Sequence, residues 1–499
     1  MSEYHDRTIR LVADRTCEWI LSHNAFVDWQ SQLHTSDRRV LITHGRAGCG
    51  KSVLSSSIFD MLRGTNQQAS ERAKNSLPTE NTQQLPVFFA FSATDTSRQT
   101  IESFLRSFLA QLVDFDQDNR MISLLSHLAK KSSTSRADIL SGLLEALDSV
   151  EVTAIVDGTD ECSDNSDELF HVLHTLYLKS PRLKFLLIGQ THSFTNQFDK
   201  FSEPFTIAIR SQHNQEDIQR VINTELQAYP PFWTPKLRDL ISRALNDKAD
   251  GMFLWVKLML DYLRFAPSEG HLYQCLKDLP GDLEHAYSLI CTRMLARLQK
   301  HQLNLVQWIL AILSACGQPL SYEELQAVYA LSNGETSKIS EDKGNSFKLH
   351  LAPDDLIGLC GGLIAINNDR FSIVHNSAKE FLTCALSRPS SPRNDLDVFK
   401  VDLARSHQLF GDIFFKLFEL IQKEALERTS VDQVALRNPI LDYAHSYACD
   451  HMRSSGMNTP MRVYEMWKCQ IIIIKMRSSH ASIAYTDEQR LSYPASRFK

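Results

Sequence analysis

The chain has 499 residues, 43% of them hydrophobic and 22% charged, with a formal net charge of −6. Such a length allows roughly two to four domains of ordinary globular composition. The acidic balance disfavours a whole-protein surface for nucleic acid or anionic membrane.

In chain order, residues 1–38 read as a helix-rich lead-in carrying Cys17, Trp19, Ile20, Leu21, Phe26 and Trp29. Val40–His44 is a short β-branched run that ends at Gly45, and Ser52–Leu62 follows as a helix. Residues 64–84 lose apolar periodicity and read as a surface loop. Val87–Phe91 is a second strand, and Ile101–Val113 an amphipathic helix. Val152–Val156, Phe185–Ile188 and Phe205–Ile209 complete the strands. Near-continuous apolar strands alternating with helices predict a buried parallel sheet, hence an α/β fold.

After residue 211 the strands stop. Asp217–Leu226, Pro235–Leu245, Gly251–Leu263 and Asp282–Leu298 read as helices, with Asp250 as N-cap of the third. Leu303–Cys316 is a helix, and Ser321-x-x-Glu324 is a capping box that opens another. A Ser, Glu, Lys and Gly loop follows. A short helix (Asp354–Cys360), a strand (Leu363–Ile366), an Asn367–Asn368–Asp369 turn and a strand (Phe371–His375) come next. Three helices and a hairpin make a winged-helix pattern. Residues 386–395 read as a linker, and the remainder is helical to about 475.

The ten cysteines stand singly, with no C-x-x-C pair, which argues against zinc and for a reducing, cytoplasmic setting. No apolar run approaches the ~18 residues of a membrane span, and residues 1–7 do not read as a signal peptide.

The strongest motif is Gly45-Arg46-Ala47-Gly48-Cys49-Gly50-Lys51-Ser52, a full G-x-x-x-x-G-K-[ST] match between a strand and a helix. Its glycines let successive backbone N–H groups turn towards a β-phosphate. Lys51 reaches the β- and γ-oxygens, and Ser52 offers a hydroxyl to Mg²⁺. A nucleoside triphosphate with Mg²⁺ is the expected ligand. Val152–Asp157 is an apolar strand ending in a carboxylate placed to hold the Mg²⁺ shell opposite Ser52. Asp160 and Glu161 follow at the carboxyl edge, where either could orient an attacking water. A solvated acidic loop is the alternative for this pair. For His375, at the end of an apolar strand, a satisfied structural histidine is the default reading. Phe253, Trp255 and Tyr262 read as helix core.

These residues resemble those of a fungal NACHT-type protein of the STAND class of signalling ATPases, in the nephrocystin-like branch. The resemblance runs from about residue 8 to 455. It is carried by Thr16–Ile20 with Phe26 and Trp29, Gly45–Ser52, Asp157–Cys162, Lys248–Val256, Leu279–Leu283, Cys360–Leu363, Val374–Leu382 and Leu441–Ala444. It implies an ATP/ADP switch in which ADP holds a closed form and ATP permits opening and assembly into a homo-oligomer. It also implies protein partners that supply effector or sensor functions. Under it, His375 matches a winged-helix histidine that contacts the ADP β-phosphate, and Gly251–Phe253 lies where the helical domain meets adenine.

Two departures stand out. Gln190 occupies the position of the family's phosphate-sensing Arg, so hydrolysis is expected to be weak. A nucleotide-binding scaffold that does not hydrolyse is the alternative. Ankyrin, WD and leucine-rich repeat signatures are missing, so the chain reads as a switch core, natural or truncated. The expected division is a lead-in (1–38), a NACHT P-loop domain (39–210), a helical domain (211–300), a winged-helix domain (301–385), and a linker with a helical C-terminal region (386–499). Residues 303–380 hold 5 basic against 9 acidic groups, which opposes DNA binding by the winged helix.

Overall fold

A computed structural model describes residues 16–32, 36–73, 85–115, 135–148, 150–195, 197–228, 233–333, 349–367, 369–384, 394–426 and 438–456. The chain divides into two compact units, Met1–Ile290 and Cys291–Lys499.

The first unit is built on strands β1 (Val40–His44), β2 (Leu85–Ala90), β3 (Val152–Asp157), β4 (Leu183–Gly189) and β5 (Phe205–Ala208). They form one sheet in the order β2-β3-β4-β1-β5, with every pairing parallel. β4 therefore lies between the strand that leads to Gly45 and the strand that ends in Asp157. The register sets His44 beside Gly189 and Ala90 beside Asp157.

Strand residues alternate between the two faces, as a period of two requires. Val40, Ile42, Val87, Phe89, Val152, Ala154, Val156, Phe185 and Leu187 enter one core. Helices α3 (Ile101–Asp114), α4 (Arg136–Leu147) and α5 (Ser166–Lys179) cover it through Phe104, Phe108, Leu143 and Phe170. Leu41, Phe88, Ile155, Leu186 and Ile188 enter the opposite core. There they meet α1 (Asn24–Ser31) through Phe26 and Trp29, and α2 (Lys51–Ala73) through Leu54, Ile58 and Phe59.

The lead-in is anchored by polar contacts as well. Lys184, in the same phase as Leu186, donates to the Trp29 and Gln30 carbonyls at 3.3 and 3.2 Å, closing the C-terminal end of α1. The Trp29 indole N–H donates to the Arg39 carbonyl at 3.2 Å. Burial pulls the Lys184 ammonium down to about 8.

Beyond β5 come α6 (Ser211–Ala228), α7 (Pro235–Lys248), α8 (Phe253–Arg264), α9 (Glu269–Lys277) and α10 (Leu283–Arg297), the last spanning the division between units. The second unit contains α11 (Lys300–Ala315), β6 (Leu320–Ser321), α12 (Tyr322–Ser332), α13 (Pro353–Leu359), β7 (Ile364–Asn367), β8 (Arg370–Ile373) and α14 (Asn376–Thr383). Its sheet runs β6-β8-β7 and is antiparallel. The order of three helices and a hairpin agrees with the sequence expectation. α15 (Leu403–Leu426) and α16 (Leu441–Ser454) follow.

Several expectations need correction. Residues 64–73 continue α2 rather than forming a loop; Gln, Ala, Glu and Arg sustain a helix without an apolar stripe. Asp250 does not cap α8. Met252 stands at that position with no side-chain bond, and Asp250 lies two residues earlier with φ of 43°. α4, α5 and α9 were not expected, although Ser135 and Asp138 form a capping box before α4. The rest of the loop expected at 64–84, from 74 on, the expected loop at 334–348, residues 386–393 of the linker expected at 386–395, and the helix beyond 456 lie outside the described residues, while Asn394 and Asp395 open a short 3-10 helix (Asn394–Phe399).

Candidate functional site

The segment Gly45–Ser52 leaves β1 at its carboxyl end and becomes helical at Lys51. Gly50 has φ of 86°, a region that favours glycine, and a Cβ there would sit 3.1 Å from the Phe253 ring. A side chain at position 50 would meet both a backbone penalty and the start of α8. Lys51 Nζ donates to the Gly45 and Arg46 carbonyls at 3.0 and 2.8 Å. The Cys49 side chain is buried at the base of the loop, and burial raises its thiol above the usual range. Arg46 forms an ion pair with Asp250. Gly48 and Ala47 complete the turn.

Strand parity decides where Asp157 points. Val152, Ala154 and Val156 face the α3 side, so Asp157 shares the other phase with Ile155 and faces α2. There the Ser52 and Ser55 side chains lie nearest to it. Its Oδ1 is buried with no partner. Burial raises the carboxyl above its ordinary range, against the pull of the Ser52 hydroxyl and the Lys51 charge. An orphaned buried carboxylate oxygen beside a serine hydroxyl is a hard-oxygen set that suits Mg²⁺. Among the described residues no three His, Cys, Asp or Glu side chains converge to hold a metal by themselves.

The turn after β3 is made by Gly158, with φ of 67°, where a Cβ would lie 3.0 Å from the Phe91 carbonyl oxygen. Asp160 and Glu161 then diverge. Asp160 Oδ1 accepts the Gln190 backbone N–H at 2.8 Å. Glu161 Oε2 accepts the Ala93 backbone N–H at 2.7 Å, beyond β2. Burial raises the Glu161 carboxyl to about 7, helped by the negative charges of Asp160 and Asp157, while the Ala93 bond and Arg98 oppose it. Gln190 begins the turn after β4, between the ends of β1 and β3. His44, at the end of β1, bonds Thr191 at 3.1 Å. Burial, and then the Lys51 charge, lower its imidazole.

Gly251 lies in the turn before α8, in contact with Ser211. Trp255 is buried as expected of helix core, whereas Phe253 faces Gly50. Sequence reasoning missed Asn214. It is 3% exposed, and its Nδ2 donates to the Cys49 carbonyl at 2.8 Å and the Gly251 carbonyl at 3.1 Å. A single Asn in a helix's first turn leaves no motif to find.

His375 belongs to the second unit and lies just past β8 rather than in it. It is the N-cap of α14, and its Nδ1 accepts the Ser377 N–H at 3.1 Å.

With this geometry in hand, comparison with known proteins places the chain. Residues 15–190 match the family model "Nephrocystin 3, N-terminal". Over 484 residues the chain is 23% identical to the vegetative incompatibility protein HET-E-1 of Podospora anserina, a fungal NACHT-domain protein. The chain is NACHT-like. The match covers 90% of this chain and 33% of that protein, so the chain spans about a third of the length of its curated relative. Solved structures with a likeness include Aeropyrum pernix ORC2 in ADPNP–ADP complexes, 13% identical, covering 85% of this chain and 94% of that one at a TM-score of 0.30. Aeropyrum pernix ORC1 in complex with DNA is 11% identical, covering 76% and 91% at a TM-score of 0.29. Among the described residues no helix is long and apolar enough to cross a membrane.

Proposed function

We propose that this NACHT-like chain is a STAND-type ATP/ADP switch with weak Mg²⁺-dependent hydrolysis, whose nucleotide state controls opening and assembly. The observation that carries the reading is the pairing of a complete phosphate loop with Asp157, buried and facing Ser52. Lys51 would exchange its bonds to the loop carbonyls for phosphate oxygens. Ser52 and Asp157 would hold Mg²⁺, which supplies charge neutralisation at the β- and γ-phosphates. Glu161, with a carboxyl near neutrality, is the better placed of the acidic pair to take a proton from water, because Asp160 anchors the Gln190 turn.

Adenine rather than guanine, the five-part domain division, and a winged helix used for internal docking rather than for DNA belong to this proposal. So do a cytoplasmic setting, a homo-oligomer in the ATP state and partner proteins with effector or sensor roles. The His375 contact to ADP rests on the family resemblance; capping of α14 is its local role. The relative's name, vegetative incompatibility protein, supports a signalling use.

A second reading, a scaffold that binds nucleotide without hydrolysing it, is favoured by Gln190 in place of an Arg. Calorimetry with Mg-ATP tests the first claim. A charge-assisted phosphate contact is worth roughly 1.5–3 kcal/mol, so Lys51→Ala should weaken binding about 10- to 150-fold. Equal affinities would remove the nucleotide reading. Single-turnover phosphate release from wild type separates switch from scaffold, and complete absence of release selects the scaffold.

A further inference from the structure

The phosphate loop's carbonyls can be followed one by one. The Gly45 and Arg46 carbonyls accept from Lys51 Nζ of the loop itself. The next two bonds come from elsewhere. The Gly48 carbonyl accepts the Leu254 backbone N–H at 3.3 Å, from the start of α8. The Cys49 carbonyl accepts Asn214 Nδ2 at 2.8 Å, from the first turn of α6. The same amide also donates to the Gly251 carbonyl, in the turn that leads into α8. Since both acceptors are carbonyl oxygens, only the NH₂ end of the Asn214 amide can face them.

A peptide unit carries its C=O and the following N–H in opposite directions when trans, and no cis bond occurs among the described residues. Holding the Cys49 carbonyl therefore aims the Gly50 N–H the other way, into the concave side of the loop. Holding the Gly48 carbonyl does the same for the Cys49 N–H. These are N–H groups of the kind that a phosphate loop turns on its anion. For the Gly50 N–H that direction is set by a residue 165 positions downstream of Cys49.

We propose that Asn214 is a positioning residue for the phosphate loop, orienting the Gly50 N–H through the Cys49 carbonyl and fixing the approach of α8 through the Gly251 carbonyl. The inference rests on the nucleotide-binding reading above. Asn214 is buried, carries no charge and occupies the carbonyl side of the loop, so it acts through the peptide and not on the nucleotide. α6 and the start of α8 thereby become part of the phosphate site, although they supply none of the loop's own residues.

The test uses the full chain and two probes, ADP and inorganic tripolyphosphate, each titrated by calorimetry beside unfolding of the nucleotide-free protein. Asn214→Ala should weaken both probes about tenfold, the effect of one buried carbonyl left free to turn. A purely structural Asn214 would lower the melting temperature and leave both affinities unchanged, which overturns the proposal. Loss confined to ADP also overturns it, since the defect would then lie at the base and not at the phosphates. Should Asn214→Ala not fold, Asn214→Ser keeps one donor and is read the same way. An intermediate affinity supports the proposal, and wild-type affinity refutes it. Lys51→Ala separates the two levels. If wild type binds no nucleotide, both readings fall. If wild type binds, Lys51→Ala binds more weakly, and the Asn214 variants bind like wild type, only this inference fails.

Discussion

Asp160 Oδ1 accepts the backbone N–H of Gln190 at 2.8 Å, so the carboxylate that follows β3 holds the turn that follows β4. Its neighbour Glu161 holds the opposite side, accepting the Ala93 N–H beyond β2. The acidic pair thus clasps three neighbouring strand ends, and its two members play different parts.

That division is measurable by replacing each acid with its amide. Asp160→Asn keeps an acceptor for Gln190 and should retain turnover within about threefold of wild type. Asp160→Ala should cost roughly 1–2 kcal/mol in stability, because it leaves a backbone donor unpaired. Glu161→Gln should still bind ATP while turnover falls about 10²-fold, the usual weight of a general base. Wild-type turnover should rise as pH passes about 7, where the Glu161 carboxyl releases its proton. Equal loss in Asp160→Asn and Glu161→Gln would show that the pair acts as a unit.

Asp157 faces α2 with one oxygen unpartnered, and burial disfavours its charge. Asp157→Asn should raise the melting temperature of the nucleotide-free protein by a few degrees, since it removes a charge that burial disfavours. The same variant should lose the gain in ATP affinity that Mg²⁺ gives wild type over EDTA. Parallel titrations with and without Mg²⁺ check both halves. A variant still strengthened by Mg²⁺ would release Asp157 from the metal role.

The second unit holds a buried histidine pair. His407 Nδ1 and His451 Nδ1 are 2.8 Å apart, and Tyr443 Oη lies 3.0 Å from His451 Nε2. The Gly317 N–H donates to that Tyr443 oxygen at 2.8 Å. With both imidazoles held neutral by burial, one Nδ1 of the pair donates to the other. Burial lowers His451 to about 3, and burial likewise lowers His407. Between about pH 6.5 and 3 the unfolded chain binds more protons than the folded one, so stability rises with pH and is lost as pH falls through that window. Urea midpoints should therefore drop between pH 7 and pH 5, and His451→Gln should flatten the dependence. A flat wild-type profile would contradict the neutral assignment.

His375 offers a cleaner separation than alanine alone can give. His375→Ala removes the α14 cap and should cost about 1 kcal/mol, whereas Asn is itself a strong N-cap and should restore that stability. If the histidine also acts on ADP, His375→Asn will release ADP about tenfold faster than wild type despite normal stability. An unchanged release rate in stopped-flow displacement would restrict His375 to capping.

The sheet, the phosphate loop and Asp157 were legible because each is written in local pattern: apolar runs, fixed glycine spacing, a carboxylate at a strand end. Ser321 and Glu324 announced their helix in the same way, and their reciprocal bonds are present. Asn214 was invisible because its partners at Cys49 and Gly251 are distant in sequence, and a side-chain-to-backbone bond leaves no pattern in the partner's identity. Asp250 misled for a related reason. An Asp before an apolar run looks like a cap, yet here the chain needs two left-handed residues in succession, Asp250 and Gly251, before the helix can start. The acidic pair looked like a solvated loop or a catalytic dyad; which backbone donors it meets depends on the order of strands in the sheet.

Lys184 gives the NTPase fold a lower limit on its chain. Its ammonium sits within the central strand β4 and is satisfied by the Trp29 and Gln30 carbonyls. An expression fragment that begins at Val40 would strip away those acceptors and expose the apolar face that Phe26 and Trp29 seal. Such a fragment should aggregate even though it retains every strand and the whole phosphate loop. Lys184→Met should partly rescue it, since a buried ammonium without acceptors costs several kcal/mol. Measured by what it needs in order to stand alone, the sheet domain therefore starts upstream of its first strand.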